Sequence, residues 1–292
     1  MAMRNIIVCI HQVFDPLASL QLSANEKAVC PQADEEHLLT IEPSDLAALE
    51  IALQLQKTHQ TTLTVICAAS AAAKDDLRYC VARGATNAIH LLVSEEDRLD
   101  TWNTSLLIAE QLKQISFSLI LCGEIWQDIM DRSFGPFLAE HLGLPQITRA
   151  EHVEIHNDTI QARSVCDHGD RELITCPCPA LITIARFAQQ PQYVAMKKRL
   201  HVTDASIKTI PVDEKAIPSA LTQISMIGYP RPRVKYQPPP EKNLSASERL
   251  KSLIQGGQTK KQSDLTIHEG DTAVLAQKVI AFLEETGIIS KQ

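Results

Sequence analysis

The stretch Leu119 to Gly135 reads Leu-Ile-Leu-Cys-Gly-Glu-Ile-Trp-Gln-Asp-Ile-Met-Asp-Arg-Ser-Phe-Gly, and its pattern predicts the fold. An apolar run that ends in Cys122-Gly123 is typical of a buried strand, and the polar interval after it carries three acidic side chains. A helical apolar pattern follows. In an open α/β sheet, a ligand binds outside the carboxyl end of a strand and against a helix N terminus. This stretch is therefore the candidate ligand site.

The chain before this stretch alternates between strand and helix patterns. Continuous apolar, β-branched runs predict buried strands at residues 6–10, 63–67, 88–93 and 119–122. Helical spacing predicts a helix from about Leu46 to Lys57, a second around 77–83 and a third at 102–115. Alternating strands and helices imply a parallel sheet with right-handed crossovers. We therefore expect a doubly wound α/β domain to about residue 148.

Two local features refine this prediction. Ser44 and Asp45 follow Pro43, and both are candidate N-caps of the first helix. Residues 17–40 have little periodicity, and we expect them to form an excursion, such as a hairpin, before the sheet resumes.

Beyond residue 148 the pattern becomes strand-like. Alternating apolar residues with a turn at Asn157-Asp158 predict a hairpin ending near Val165, and further strands at 172–175 and 180–184 should extend or flank the same sheet. We assign residues 1–185 to one α/β domain.

The prolines that follow describe an extended arm over residues 186–292. A final amphipathic helix is predicted at 271–285, with Leu275, Val279, Phe282 and Leu283 on its apolar face. An arm of this length is expected to wrap a partner.

Composition excludes several classes of protein. The formal charge of -7 is spread along 292 residues, which argues against nucleic acid or an anionic membrane as the main partner. No apolar run approaches the roughly 20 residues that span a bilayer, and the start of the chain lacks a signal-peptide pattern. Eight irregularly spaced cysteines, several within apolar runs, suit buried thiols in a reducing compartment. A cytoplasmic protein is expected.

The cysteines allow a chemical and a structural interpretation. Cys9, Cys67 and Cys122 end three of the core strands and should line one edge of the sheet. They would form either a redox or metal cluster, or a set of small apolar residues that let a nucleotide or backbone approach, and we favour the second. Cys176-Pro177-Cys178 lacks the spacing of a zinc or redox pair, so a structural role is favoured there too.

No glycine-rich dinucleotide fingerprint, phosphate loop or nucleophile elbow occurs in the sequence. Nothing local therefore indicates an enzyme with its own acid or base.

Taken in order, several segments are similar to one family. These segments are Ile6 to Val13, Glu42-Pro43-Ser44-Asp45, Leu77 to Ala85, Leu121-Cys122-Gly123, Gly135 to Glu140, Leu142 to Gln146 and Cys178 to Thr183. Their order and spacing resemble the β subunit of electron-transfer flavoproteins over nearly the whole chain. The resemblance implies an adenine nucleotide α-hydrolase-like fold. It also implies a flavin-based electron carrier as the function.

The resemblance implies partners and cofactors as well. An α subunit would carry most contacts to an FAD, the arm of this chain would embrace that subunit, and a dehydrogenase would supply electrons. The β subunit itself would hold an AMP or a second FAD. By resemblance its nucleotide contacts would be Cys9, Glu42, Pro43, Ser44, Asp45, Cys67, Gly123, Asp128, Asp131, Arg132, Ser133, Phe134 and Gly135.

The nucleotide loop departs from the family's pattern. It keeps Gly123, Asp128 and Gly135, but bulky or acidic residues replace the small residues that phosphate binding favours. Asp131 would repel a phosphate unless it caps the helix, whereas Ser133 has a hydroxyl to donate.

The docking segment at residues 190–198 is shorter than in the family. A dedicated dehydrogenase, or a different acceptor, therefore fits better than the usual acyl-CoA dehydrogenase. Two alternatives are a nucleotide-binding regulatory module and a purely structural paralogue, both without electron transfer.

Overall fold

A computed structural model describes residues 5–15, 20–22, 29–31, 39–93, 100–127, 130–203, 206–212, 245, 247 and 270–285. The chain divides into two compact units, Met1–Tyr229 and Pro230–Gln292. The first unit contains the sheet and its helices, and the described part of the second is dominated by one helix. The division predicted at residue 185 stays a prediction.

Thirteen strands and six helices lie within the described residues. The strands are β1 (Asn5–Cys9), β2 (Gln12–Phe14), β3 (Leu20–Leu22), β4 (Val29–Pro31), β5 (Leu39–Ile41), β6 (Leu63–Ala69), β7 (Asn87–Leu92), β8 (Phe117–Gly123), β9 (Gln146–His156), β10 (Thr159–Val165), β11 (Arg171–Pro177), β12 (Ala180–Ile184) and β13 (Ile207–Pro211). The helices are α1 (Pro43–His59), α2 (Lys74–Arg83), α3 (Thr101–Leu112), α4 (Phe134–Leu142), α5 (Met196–His201) and α6 (Thr272–Glu285). None of these helices is long and apolar enough to cross a membrane.

Nine strands form one sheet in the order β11-β10-β9-β12-β8-β1-β6-β7-β13. The strands from β9 to β13 in this order pair in parallel, whereas β9, β10 and β11 pair antiparallel at one edge. This confirms the prediction of a mostly parallel α/β sheet with antiparallel strands added. The opposite edge strand, β13, comes from the segment that the sequence assigned to the arm.

The central parallel strands are buried on both faces, as continuous apolar strands require. Successive side chains of a strand point to opposite faces, and β1 shows the result. Ile6 and Val8 belong to one apolar cluster with α1 and α2, whereas Ile7 and Cys9 belong to a second cluster with α3 and α4. The helices therefore cover both faces in the doubly wound arrangement.

The excursion between β1 and α1 contains antiparallel pairs. β2 pairs with β5, and β3 pairs with β4, so the described part of residues 17–40 includes the expected hairpin.

The predicted N-caps of α1 were wrong. Glu42 holds the N-cap position and Pro43 is the first helical residue, so Ser44 and Asp45 lie inside the first turn and are buried. Proline favours the first helical position because its fixed φ suits a helix and its missing N–H is not needed there. The helix therefore begins earlier than the polar residues suggested, and Asp45 turns toward the sheet.

A buried ion pair joins α1 to α2 and to the segment before α5. The guanidinium of Arg83 contacts the Glu50 carboxylate, with Nε 3.0 Å from Oε1, and the two side chains are only 9% and 5% exposed. The backbone N–H of Gln192 donates to the same oxygen at 3.2 Å. Glu50 therefore holds both the helix pair and the chain that leads to the exposed residues near α5.

We expect Glu50→Ala to lower the free energy of unfolding by about 3–5 kcal/mol, because Arg83 would be left charged and buried. Urea denaturation measures the loss. The matched control is Glu110→Ala, since Glu110 pairs with Lys113 at the surface at 2.6 Å and should cost no more than about 1 kcal/mol. Equal losses in the two variants would contradict the role given to Glu50.

Candidate functional site

The candidate site lies at the carboxyl ends of the central strands, between the β8–α4 loop and the start of α1. Cys9 and Cys67 lie in the neighbouring strands β1 and β6, and Cys122 lies near the end of β8. All three are buried free thiols. Burial raises the pKa of each thiol above its ordinary range, so at neutral pH they are small uncharged groups.

Asp45 connects the three elements that meet at this edge. Its Oδ1 accepts a hydrogen bond from the Gly123 N–H at 2.6 Å, and its Oδ2 accepts one from the His11 N–H at 2.7 Å. The residue is 1% exposed. Burial raises the pKa of this carboxyl to about 8, with a further contribution from Glu42, although the two backbone hydrogen bonds oppose the rise.

Only glycine fits at position 123, where the end of β8 approaches α1. A Cβ atom added at this position would lie 2.1 Å from Ser44 Oγ and 2.8 Å from Asp45 Oδ1. Without a side chain, the backbone of β8 comes close enough to donate to Asp45. The glycine that the sequence shares with the family therefore has a packing role here.

Glu42 and Ser44 hold the first half of the β8–α4 loop. Glu42 is fully buried, and its Oε2 accepts from the Gln127 N–H at 3.0 Å. Ser44 Oγ donates to the Ile125 carbonyl at 3.1 Å and lies 3.4 Å from Glu42 Oε1. These two predicted site residues therefore bind the loop of their own chain.

Asp131 and Ser133 bind each other just before α4. Asp131 accepts from the Ser133 N–H at 2.8 Å, and the Ser133 hydroxyl lies 2.6 and 2.8 Å from the two carboxylate oxygens. Thr101 Oγ1 donates to the same carboxylate at 2.6 Å. Partial burial tends to raise the pKa of Asp131, but hydrogen bonds from Ser133, Thr101 and Arg132 outweigh it and lower that pKa.

Trp126, which the sequence analysis did not single out, fills the centre of the site. Its ring stacks on His11, with centroids 3.5 Å apart and planes inclined by 4°, and its other neighbour is Phe134 at 4.9 Å and 27°. The indole is 3% exposed. A two-way backbone bridge joins Trp126 to Asp131 at 2.8 and 3.1 Å. The presence of an aromatic residue in an otherwise polar loop could have marked Trp126 as a site residue.

The structure brings part of the predicted set together. Cys9, Asp45 and Phe134 line one narrow crevice with His11 and Trp126. Glu42, Ser44 and Gly123 form a second group beside it through the contacts given above.

Other predicted site residues lie apart from the crevice. Pro43 starts α1, and Gly135 leaves room for Thr183, whose Cγ2 would be 2.5 Å from an added Cβ. The side chain of Arg132 is 57% exposed and lies 4.0 Å from Glu124. Asp128 lies outside the described residues.

A roomier cavity of about 770 Å³ lies elsewhere in this unit. Its lining comes from β2, β5, α1, α2 and α5 and includes Gln12, Asp76 and Tyr79. None of the predicted site residues lines it. Its mixed acidic, basic and apolar lining does not indicate one class of ligand.

We expect the free energy of unfolding to fall as the pH rises from about 4 to about 8. Over this range folded Asp45, with its pKa of about 8, keeps a proton that the unfolded chain loses above about 4. Asp45→Asn should remove a slope on the order of 1.4 kcal/mol per pH unit between about pH 6 and 8. Denaturation at stepped pH measures it.

Asp76→Asn is the control for this measurement. Burial raises the pKa of Asp76 to about 6, and its hydrogen bond from Gln12 opposes that rise. Its substitution should therefore change the slope only below about pH 6. An unchanged slope between pH 6 and 8 in Asp45→Asn would contradict the assignment.

Comparison with known proteins identifies the family. A family model described as the electron transfer flavoprotein domain matches residues 32–215. Electron transfer flavoprotein subunit beta of Clostridium acetobutylicum is 30% identical over 210 residues, covering 72% of this chain and 79% of that protein. Its counterpart in Syntrophomonas wolfei is 28% identical, covering 79% of this chain and 86% of that protein.

A third relative is the acryloyl-CoA reductase electron transfer subunit gamma of Anaerotignum propionicum. It is 27% identical over 272 residues, covering 89% of this chain and 96% of that protein. These matches confirm the resemblance that the sequence motifs indicated. The chain therefore belongs to the electron transfer flavoprotein family, as a divergent relative of its β subunits.

Proposed function

We propose that this chain is the β subunit of a heterodimeric electron transfer flavoprotein, which passes electrons from a dehydrogenase through an FAD held mainly by the α subunit. The observation that carries this proposal is the similarity to β subunits over most of the chain. The acryloyl-CoA reductase relative, which is named an electron transfer subunit, supports the same role.

The chemistry of the site suits a carrier more than a catalyst. The carboxylates of Glu42, Asp45 and Asp131 are each engaged by backbone or hydroxyl donors of the same chain. A general acid or base needs to reach a substrate proton, whereas these groups hold a loop in place. A bound flavin would supply the electron chemistry, and the protein would position it and shape its surroundings.

The second unit supports a role in binding the α subunit. The helix α6 falls within one residue of its predicted start, and none of its residues is buried. Val279 and Phe282, two residues of the predicted apolar face, are 57% and 61% exposed. An exposed apolar stripe on a helix is typical of a surface that packs against a partner.

The segment before α5 supports contact with an electron donor. Tyr193 and Met196 are largely exposed, although Val194 between them is buried. The Gln192 backbone is fixed by Glu50, as described above. A short segment with exposed apolar side chains, anchored at one backbone N–H, suits a transient protein contact. The segment at residues 190–198 is shorter than the family's docking segment, which favours a dedicated dehydrogenase or a different acceptor.

We further propose a cytoplasmic location. The cysteines whose side chains the structure describes are all free thiols, which suits a reducing compartment.

Co-expression with candidate α subunits tests the function directly. We expect a yellow heterodimer whose flavin absorption bleaches when a cognate dehydrogenase and its substrate are added, and which releases FAD on denaturation. The same chain expressed alone is the control and should lack flavin absorption. A chain that never binds an α subunit would contradict the proposal. A colourless heterodimer would favour the structural alternative instead.

Val279→Asp and Phe282→Asp should weaken the heterodimer, because each places a charge on the apolar face of α6. A loss of at least about tenfold in affinity is expected for removing a buried apolar anchor. Gln277→Asp lies on the opposite side of the same helix and is the matched control. Analytical ultracentrifugation or titration calorimetry measures the affinities. Equal affinities for all three variants would exclude this face from the interface.

A further inference from the structure

The crevice that family resemblance assigns to a second nucleotide is filled by the chain's own side chains. It lies at the carboxyl ends of β1 and β6, where Cys9, Ala68 and Asp45 form its floor and wall. The indole of Trp126 and the ring of His11 line the same space. The question is whether the residues present fit an AMP or a second FAD.

The aromatic stack has the geometry of a bound base. Nucleotide bases are commonly held between flat side chains. Here the indole of Trp126 takes part in such a stack, with the His11 ring parallel to it at 3.5 Å and the Phe134 ring at 4.9 Å. Because the indole is 3% exposed, no base can stack on the face of His11 that Trp126 covers unless Trp126 leaves.

The backbone donors beside the crevice are engaged by acidic side chains. A phosphate at a loop and helix N terminus is bound by successive backbone N–H groups. In this chain the N–H groups of Gly123, Gln127 and Ser133 donate to Asp45, Glu42 and Asp131 respectively. The Ser133 hydroxyl also donates to Asp131. Carboxyl oxygens thus already accept from backbone donors that a phosphate would need.

The small volume of the crevice and the charge beside it also disfavour a bound nucleotide. The crevice is too narrow to admit a water-sized sphere. Sites for small molecules and cofactors are usually about 300–1,000 Å³. The pKa of Asp131 is lowered, so at neutral pH this carboxylate is charged and would repel a phosphate. The residues of the crevice therefore do not fit a second nucleotide.

We infer that the chain carries an internal substitute for the nucleotide: Trp126 stands in for the base, and Asp45, Glu42 and Asp131 stand in for the phosphate. The β chain is then complete without AMP and without a second FAD. This inference concerns a crevice within one chain, so it stands or falls separately from electron transfer through the flavin shared with the α subunit.

The first test identifies nucleotides released from the native protein. The full-length chain alone and its heterodimer with the α subunit are purified, denatured and examined by mass spectrometry. We expect no stoichiometric AMP from either sample, and no more than one FAD from the heterodimer. Stoichiometric AMP, or a second FAD, would overturn the inference. A heterodimer without FAD would contradict the proposed function. The absence or presence of AMP in the sample of the chain alone would still test the inference.

The second test removes the indole and asks what fills its place. Trp126→Ala should lower Tm by about 10 °C, since large aromatic-to-alanine changes in a core are among the most destabilising. Added adenosine should raise the Tm of this variant. AMP should raise it less, because Asp131 stays charged and acidic side chains still occupy the backbone donors. Trp102→Ala, which removes the other tryptophan of the chain, should respond to neither. No response of Trp126→Ala to adenosine would overturn the assignment of the indole.

A third measurement uses the native crevice and does not depend on a destabilised variant. In Trp102→Phe, Trp126 is the only tryptophan left. Its fluorescence should be shielded from acrylamide, and millimolar AMP should leave both the emission and the shielding unchanged. A red shift and increased quenching on addition of AMP would show displacement of the indole and would overturn the inference.

Discussion

The two hydrogen bonds that Asp45 accepts hold the functional edge of the sheet together. One comes from the backbone just after β1 and the other from the end of β8, so a single carboxyl links two parallel strands to the first turn of α1. Such a link needs a helix that begins early enough to aim Asp45 at the sheet, and Pro43 provides that start. It also needs a strand end without a side chain, which Gly123 provides. Burial of this polar group is tolerated because both of its oxygens are satisfied.

Much of the fold was accessible from the sequence because its determinants are local and periodic. Residues 6–9 and 119–122 of the predicted strands lie in β1 and β8, because an uninterrupted apolar strand is stable only where both of its faces are covered. The N-caps of α1 were misassigned because Ser44 and Asp45 have the composition of caps, whereas their partners lie on other elements. Sequence spacing does not reveal such partners, and tertiary hydrogen bonds decided the outcome.

The meeting of some predicted residues was foreseeable, but the contacts among them were not. Parallel strands deliver their carboxyl ends to one edge, which predicted the place of Cys9, and the family resemblance added Asp45 and Phe134, which line the same crevice. The stacking of Trp126 on His11 joins two distant segments, and neither segment alone indicates it. In the same way, the acidic Asp131 predicted repulsion of phosphate, whereas its hydrogen bonds from Ser133 and Thr101 emerged only from the folded chain.

Glu50 couples the conformation of the surface segment before α5 to the packing of the interior. The same carboxylate oxygen receives Arg83 from α2 and the Gln192 N–H from that segment. A partner that binds the segment only in this conformation also stabilises the packing of α1 against α2, because both depend on the Glu50 carboxylate. A substitution of Glu50 is therefore expected to change both the packing of the two helices and the conformation of the surface segment.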